Sequence, residues 1–235
     1  MSEDLKSIEE IAKTAGKAID ASEKFGGFIA KFISGSLEQG IGIFEDRLKY
    51  MRWERQVRLM KKSEEFMESI NFKEPTKHIP LKLAIPLFQA ATLEDDDYLQ
   101  DLWAKLLVNS SNNDSNVKLC RTYIDILEKL SPLEARILIT IYSHPFNEIE
   151  HRGVFTIGLP EEAIPYSHED IEKISEYHLE NEQVLFALAN LSRLGCISVQ
   201  KSIGGGEIFN VVNPTLLGKY LVESFTIKNI HESLA

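Results

Sequence analysis

The sequence has few of the residues that mark a secreted or disulfide-stabilised protein. Its 235 residues include two cysteines, Cys120 and Cys196, and neither belongs to a CxxC pair. Two isolated cysteines do not form a disulfide framework, which favours a reducing compartment. The N-terminus is acidic, and no apolar run follows it at signal-peptide distance. We therefore expect a location in the cytoplasm, or peripheral to the inner membrane.

The chain also lacks the short motifs that accompany common active sites. Its six histidines form no HExxH or HxH pattern. No GxSxG, GxxxxGK[ST] or post-strand GxGxxG occurs. The acidic run from Glu94 to Asp97 could offer one metal ion at most two carboxylates, because consecutive helix residues point in different directions. We expect no catalytic, cofactor-binding or metal-binding residues, and hence a protein that is not an enzyme.

Positive charge is scarce, with 26 basic against 36 acidic residues and a net charge of −10. Residues 131–235 hold seven basic and fourteen acidic side chains, so phosphates would repel this part of the chain. Nucleic acid is therefore a disfavoured partner. One stretch is basic: residues 45–62 carry seven basic and three acidic side chains on a helical pattern that extends over about residues 43–70.

A glycine-punctuated apolar segment, residues 25–44, precedes the basic helix. It has five glycines and only Lys31 and Glu38 as charges, which predicts two short helices with a break near Gly35. Its small and apolar residues could pack against a helix of the same chain or of a second copy. They could also enter a bilayer while the basic helix faces anionic lipid, although polar residues interrupt the segment too often for a simple transmembrane span.

The next part of the chain predicts two further helices. Pro80 is placed to begin a helix with the sequence LKLAIPLFQAA. Thr92 is the predicted N-cap of the helix DYLQDLWAKLLVNS, with the run Glu94 to Asp97 in its first turn, where the helix dipole favours carboxylates. Together with a later helix over about residues 117–130, these elements predict a helical domain over residues 1–129.

Residues 130–235 have the outline of a winged-helix module. Ser131, Pro132 and Glu134 form a helix-start signal, and a second helix is predicted from Asn181 to Leu194 with a C-terminal glycine after it. The β-like runs CISVQ and EIFNVV flank three glycines, which predicts a hairpin. The fold class is therefore mainly α with a small α+β part. A DNA-binding regulator using Arg193 and Lys201 is an alternative, but the acidity favours protein contact.

Three segments resemble the bacterial abortive-infection alpha family. They are GGFIAKFISGSLEQGIGIFEDRLKYMRWERQVRL, IPLKLAIPLFQAATLEDDDYLQDLWAKLLVNS and LSPLEARIL. The pattern LEDDDxLQDLWAxLL is the most specific of them, and the likeness extends from about Ala15 to Phe225. The resemblance implies a role in immunity to bacteriophage and supplies no catalytic residues. Many abortive-infection toxins carry a histidine four to six residues after an arginine on one helix, and this spacing is absent here.

The family pattern singles out residues on the basic helix and in the acidic run from Glu94 to Asp97 with the helix that follows it. The charges of these residues suggest a salt-bridged seam, in which arginines of the basic helix pair with carboxylates of the acidic run. We expect the protein to act by protein binding or self-assembly, as a homo-oligomer or on a phage or host protein, with a membrane-acting effector as the alternative. The candidate contact residues are Phe28, Phe32, Tyr50, Trp53, Arg55, Arg58, Asp96, Asp97 and Trp103.

Overall fold

The structure is a computed structural model, and it describes Gly16 and residues 19–33, 52–167 and 181–227. The chain divides into two compact units, Met1–Ile124 with Phe225–Ala235, and Asp125–Ser224. The described residues form nine α-helices and one four-stranded antiparallel sheet. The prediction of a mainly helical protein with a small α+β part is therefore confirmed.

The regular elements in the described part of the first unit are helices, apart from an isolated bridge between Ile33 and Ile79. The first helix that the structure describes covers residues 19–32 and contains two of the glycines of the apolar segment. The predicted break near Gly35 lies outside the described residues. The helices of the unit are α1 (19–32), α2 (Trp53–Ser69), α3 (Leu81–Leu93) and α4 (Asp97–Ser111), followed by a short 3-10 turn (Asn113–Ser115) and by α5 (Arg121–Leu127), which includes the boundary between the units.

Four phenylalanines form one end of the core of this unit. Phe25, Phe28 and Phe32 lie one helical turn apart on α1, so that all three rings face the same side. The ring of Phe88 on α3 meets them edge-on, with centroid distances of 5.9, 6.4 and 6.5 Å. Edge-to-face pairs at such distances add stabilisation beyond the buried area. The phenylalanines in the described part of the glycine-punctuated segment thus pack within their own unit.

The start of α4 corrects one prediction. Thr92 is not its N-cap: it belongs to the last turn of α3, where its buried hydroxyl donates to the Phe88 carbonyl at 2.7 Å. Asp96 caps α4 instead, because its carboxylate accepts from the Leu99 amide at 3.0 Å. Pro80 precedes α3 as predicted.

The described part of the second unit contains four complete helices and the sheet. After α6 (Pro132–Ile141) and α7 (Phe146–Ile149) come two short strands, β1 (Val154–Phe155) and β2 (Ile164–Pro165). Then follow α8 (Glu182–Arg193), β3 (Ile197–Lys201), β4 (Glu207–Pro214) and α9 (Leu216–Ser224). The strand order is β2-β1-β4-β3, with every neighbouring pair antiparallel.

Local signals in the second unit correspond to the predicted elements. Ser131 and Glu134 form a capping box at the start of α6. Asn181 caps α8, and Gly195 follows that helix with a φ of +77°. β3 and β4 form the predicted hairpin across the three glycines. The strands β1 and β2 have no counterpart among the predicted elements.

A tyrosine hydroxyl holds the end of β4 against the start of β3. The Tyr142 hydroxyl accepts from the Thr215 amide at 2.7 Å and lies 2.6 Å from the Cys196 carbonyl. Burial raises the pKa of Tyr142 to about 12, so it remains a neutral donor. Gly218 faces this point, where a Cβ atom would collide with the Cys196 carbonyl and the Tyr142 hydroxyl.

None of the described helices combines the length and the apolar character that a bilayer crossing requires.

We expect Gly218→Ala to lower the free energy of unfolding of the second unit by about 2–3 kcal/mol, because the added methyl group overpacks a site bounded by backbone. Gly27→Ala on α1 is the matched control, since no atom lies within 4 Å of its added Cβ. That control should raise stability by about 0.5–1 kcal/mol through helix propensity. Urea denaturation followed by circular dichroism measures both. Equal effects of the two substitutions would contradict the assignment of a tight contact at Gly218.

Candidate functional site

Three arginines of α2 face the start of α4. Arg52, Arg55 and Arg58 are spaced by three residues, which places them along one side of a helix. Opposite them lie side chains that precede or open α4. We call this set the arginine–carboxylate seam; it consists of Arg52, Arg55, Arg58, Asp95, Asp97, Gln100 and Asp101. It lies entirely within the first unit.

The seam contains four ion pairs. Arg52 pairs with Asp95. Asp97 accepts from the guanidinium of Arg55 at 2.6 Å and lies 3.2 Å from Nε of Arg58. A second nitrogen of Arg58 lies 2.8 Å from Asp101. The predicted pairing of the arginines with the acidic helix start is therefore confirmed.

A buried amide lies at the centre of the seam. Gln100 is fully buried, and its Nε2 donates to the carbonyl of Arg55 on α2 at 3.1 Å and to that of Ala91 on α3 at 2.9 Å. Its Oε1 accepts from both Arg55 and Arg58, at 3.4 and 3.3 Å. One side chain of α4 thus satisfies groups of two other helices. Removing it would take a hydrogen-bond partner from each of these groups.

Each of the four consecutive acidic residues has a separate structural role. Glu94 accepts from the Asp96 amide at 2.9 Å, and Asp95 pairs with Arg52. Asp96 caps α4, and Asp97 pairs with two arginines. Among the described residues, no group of three or more histidine, cysteine, aspartate or glutamate side chains is placed to hold a metal ion. The run is explained by capping and ion pairing.

The arginines change the acidity of one carboxylate in particular. The hydrogen bond from Arg55, with the charge of Arg58 beside it, lowers the pKa of Asp97. Further along α2, the hydrogen bond between Lys62 and Glu65 raises the pKa of the lysine and lowers that of the glutamate. These shifts keep all three groups charged at neutral pH. They therefore act as fixed charges and not as proton donors or acceptors.

The other predicted contact residues lie in different environments. Phe28, Phe32 and Trp103 are at most 4% exposed and belong to the core of the first unit. Their burial accounts for their apolar character without a partner molecule. Trp53 is partly exposed at the first position of α2. Tyr50 lies outside the described residues.

In the second unit, Arg193 and Lys201, the two residues considered for DNA contact, differ: Lys201 is exposed at the end of β3, whereas Arg193 is held by a neighbour on its own helix. Arg193 donates through two nitrogens to Asn190 Oδ1, at 3.0 and 2.6 Å. Asn190 in turn donates to the buried carboxylate of Glu134 at 2.6 Å. The chain Arg193–Asn190–Glu134 ties α8 to the start of α6, so these groups have partners inside the unit.

The two cysteines show no features of a reactive site. Cys196 is buried, and this burial raises the pKa of its thiol to about 12, with a further contribution from the charge of Glu134. A thiol that remains protonated is a poor nucleophile. Cys120 is a free cysteine of intermediate exposure.

The contact-residue prediction left out four seam members: Arg52, Asp95, Gln100 and Asp101. Gln100 and Asp101 belong to the family pattern, but a glutamine within an apolar helix gives no local signal that its amide bridges three helices. The carbonyl of Ala91 could not have been identified from the sequence, because it becomes an acceptor only when α3 and α4 pack together.

Comparison with known proteins gives one match. The sequence model of the family described as abortive infection alpha matches residues 54–217, which include the seam from Arg55 to Asp101 and most of the second unit. No curated protein matches this chain. No solved structure matches it either.

Gln100→Leu should lower the free energy of unfolding of the first unit by about 2–4 kcal/mol, because two backbone carbonyls and two guanidinium groups lose a buried partner. Tryptophan fluorescence during urea denaturation reports this unit selectively, since Trp53 and Trp103 are the only tryptophans and both lie in it. The exposed Gln183 provides a control: Gln183→Leu should leave the same transition within about 0.5 kcal/mol of the parent protein. A Gln100 variant as stable as this control would contradict a central role for the amide.

The lowered pKa of Asp97 predicts a pH dependence of stability. The pKa of its carboxyl group is lower in the folded state than in the unfolded state. The ionised carboxylate therefore stabilises the fold at pH values above the ordinary aspartate pKa of about 4. This contribution disappears as the pH falls through the lowered pKa of the folded state. The stability difference between the parent protein and Asp97→Asn should therefore be largest near neutral pH and smallest in acid. Asp114→Asn, at an exposed aspartate outside the seam, should show no such trend. A pH-independent difference for Asp97→Asn would contradict the ion pairing.

Proposed function

The chain belongs to the abortive infection alpha family, and we propose that it takes part in defence against bacteriophage by binding protein, including copies of itself, without catalysis. The family suggests the biological role. The mode of action rests on the arginine–carboxylate seam, whose charges are fixed and whose outer side chains remain open to solvent.

The observation that carries this proposal is the exposure of side chains of both charge signs along the seam. Asp95 and Asp97 are 72% and 70% exposed, and Arg52 is 59% exposed. Val57 and Leu93, which are neighbours of seam residues in the sequence, are also exposed. Arginine is enriched at protein contact sites, and the proposal rests on these exposed charges.

Self-assembly is the form of binding that this surface favours. A two-fold symmetric contact places the same patch on both partners, so each patch must complement itself. A patch with exposed arginine and aspartate side chains can meet that condition, because the cation of one copy faces the anion of the other. The overall net charge of −10 would oppose a contact that lacked such pairs.

The second unit is proposed to be a winged-helix-like module that also contacts protein. The order of α6, α8 and the β3–β4 hairpin supports this, as does the pairing of β1 with β4. Phe186 on α8 is 74% exposed, whereas Arg193 is held by Asn190. In a DNA-binding winged-helix module, α8 would be the recognition helix that contacts bases. An exposed aromatic residue on this helix favours a protein partner instead.

The test combines the mass of the protein in solution with protection of bacteria from phage. We expect the parent protein to form an oligomer and the variant Val57→Arg/Leu93→Arg to dissociate, because the two positive charges added to each copy would repel one another at the contact. Protection from phage should be lower in this variant than in the parent protein. The exposed Ile157 supplies the control, since Ile157→Arg adds the same kind of charge in the second unit. It should keep the oligomer.

Three results would contradict this proposal. A monomer at all concentrations together with full protection would exclude self-assembly. Salt-sensitive duplex binding that is lost on changing Arg193 or Lys201 would support the DNA-binding regulator instead. Co-flotation with anionic liposomes would support the membrane-acting effector. Because Phe28 and Phe32 belong to the core, any loss of flotation in their polar variants has to be compared with the loss of folding.

A further inference from the structure

The second unit contains an open groove of about 840 Å³ between the start of α6 and the first half of α8. On the α8 side it is lined by Gln183, Phe186, Ala187 and Asn190, which follow the spacing of one helix face. The remaining lining residues are Lys129, Ser131, Leu133, Glu134 and Glu182. The α8 face extends over two helical turns, about 10 Å along the axis. The groove therefore has the length of a short helical segment.

Phe186 gives the groove a large apolar surface that a partner can cover. This residue is 74% exposed, and Leu133 on the opposite wall is partly exposed. An aromatic side chain that is still in contact with water gains free energy when a partner buries it, and aromatic residues are enriched at protein contact sites. The groove thus offers apolar area to a binding partner, which a residue of the core does not.

Hydrogen bonds hold the two walls of the groove together. The carboxylate of Glu134 on α6 is buried, and it accepts from the Ser131 amide and from the side chain of Asn190 on α8, both at 2.6 Å. Asn190 in turn accepts from Arg193 at 3.0 and 2.6 Å. A lining whose side chains are already ordered lowers the entropy cost of binding.

The charge of the second unit distinguishes between the classes of partner. Residues 125–224 hold fifteen acidic and seven basic side chains, a net charge of −8. Among the described side chains that line the groove, Lys129 is the single cation, against the carboxylates of Glu134 and Glu182. The negative field of the unit repels nucleic acid, anionic lipid and a second copy of the same unit. It attracts a basic protein segment.

We propose that this groove binds a short, basic, amphipathic helix of a partner protein. The apolar face of that helix packs against Phe186 and Leu133, and lysine or arginine residues on its flanks face the acidic unit. Helices that bind in grooves use apolar anchors at positions i, i+3 or i+4, and i+7. Two turns of such a helix match the length of the α8 face. Glu182, at the N-terminal end of α8, is placed to pair with a flanking cation.

This inference rests on the proposed function, because it specifies the partner that the second unit contacts. The seam lies in the first unit, so self-assembly through the seam and peptide binding in the groove are measured on different residues. A failure of peptide binding would leave the mass of the oligomer and its response to Val57→Arg/Leu93→Arg unchanged. A monomer with full protection from phage would contradict self-assembly without altering peptide binding.

Fluorescence anisotropy of labelled peptides, titrated with the full chain, tests the proposal. The probe is a helical peptide with leucine on one face and lysine on the other. One comparison peptide has the same composition in an order without an apolar face, and a second has glutamate in place of lysine. We expect saturable binding of the probe, at least about tenfold tighter than binding of either comparison peptide. Phe186→Ser should weaken the probe by about tenfold or more, as the loss of an aromatic anchor does.

Charge variants of the groove should change the affinity in opposite directions. Glu182→Lys should weaken the probe by about twofold to fivefold, and Lys129→Glu should strengthen it by a similar factor, as expected for exposed ion pairs. Glu161→Lys makes the same charge change at an exposed residue outside the groove, and Ile203→Ser removes an exposed apolar side chain from the β3–β4 hairpin. At physiological salt, both controls should bind the probe within about twofold of the parent protein.

All the substituted side chains are exposed, so the variants are expected to fold, and circular dichroism verifies this. The absence of saturable binding of the lysine peptide would overturn the proposal. Equal affinity for the glutamate peptide, or an affinity that Phe186→Ser leaves unchanged, would overturn it as well. An oligomer that dissociates on Phe186→Ser would identify the groove as a contact between copies of the chain, and would also contradict the assignment of a basic partner.

Discussion

The arrangement of the first unit depends on the burial of one amide. A primary amide removed from water needs partners for both its N–H groups and its oxygen, or it destabilises the fold. Gln100 meets this requirement only where α2, α3 and α4 come together, because its partners are the carbonyls of Arg55 and Ala91 and the guanidinium groups of Arg55 and Arg58. The position of α4 along its two neighbours is fixed by these bonds, and the ion pairs of the seam follow from that position.

The seam also changes how the charge of the basic helix is to be understood. As a sequence, residues 45–62 present an excess of cations that could meet phosphates or anionic lipid. In the described part of this stretch, Arg52, Arg55 and Arg58 face carboxylates of the same unit, and Lys61 and Lys62 face Glu65. Paired charges attract a distant anion only weakly, since their fields largely cancel beyond a few ångströms. This favours short-range contact with protein over long-range attraction to a polyanion.

Elements that depend on groups close together in the sequence could be predicted from it. Elements that depend on groups far apart in the sequence could not. The capping box of Ser131, the cap at Asn181 and the glycine hairpin use groups a few residues apart. Thr92 and Asp96 are both acceptable caps by local rules, and the choice between them depends on where α3 ends. The two-residue strands β1 and β2 exist because β4 pairs with β1 from more than fifty residues away. The paired arginines were predictable from charge, but the bridging amide was not.

The helix α2 sets the geometry of the seam. Arg55 and Arg58 lie one turn apart in its N-terminal half, on a helix of 17 residues, and both contact Gln100 and Asp97. A helix held by i to i+4 hydrogen bonds turns as one body, so a rotation of α2 would displace both guanidinium groups from these partners together. The exposed carboxylate of Asp97 therefore keeps its position only while α2 and α4 keep theirs.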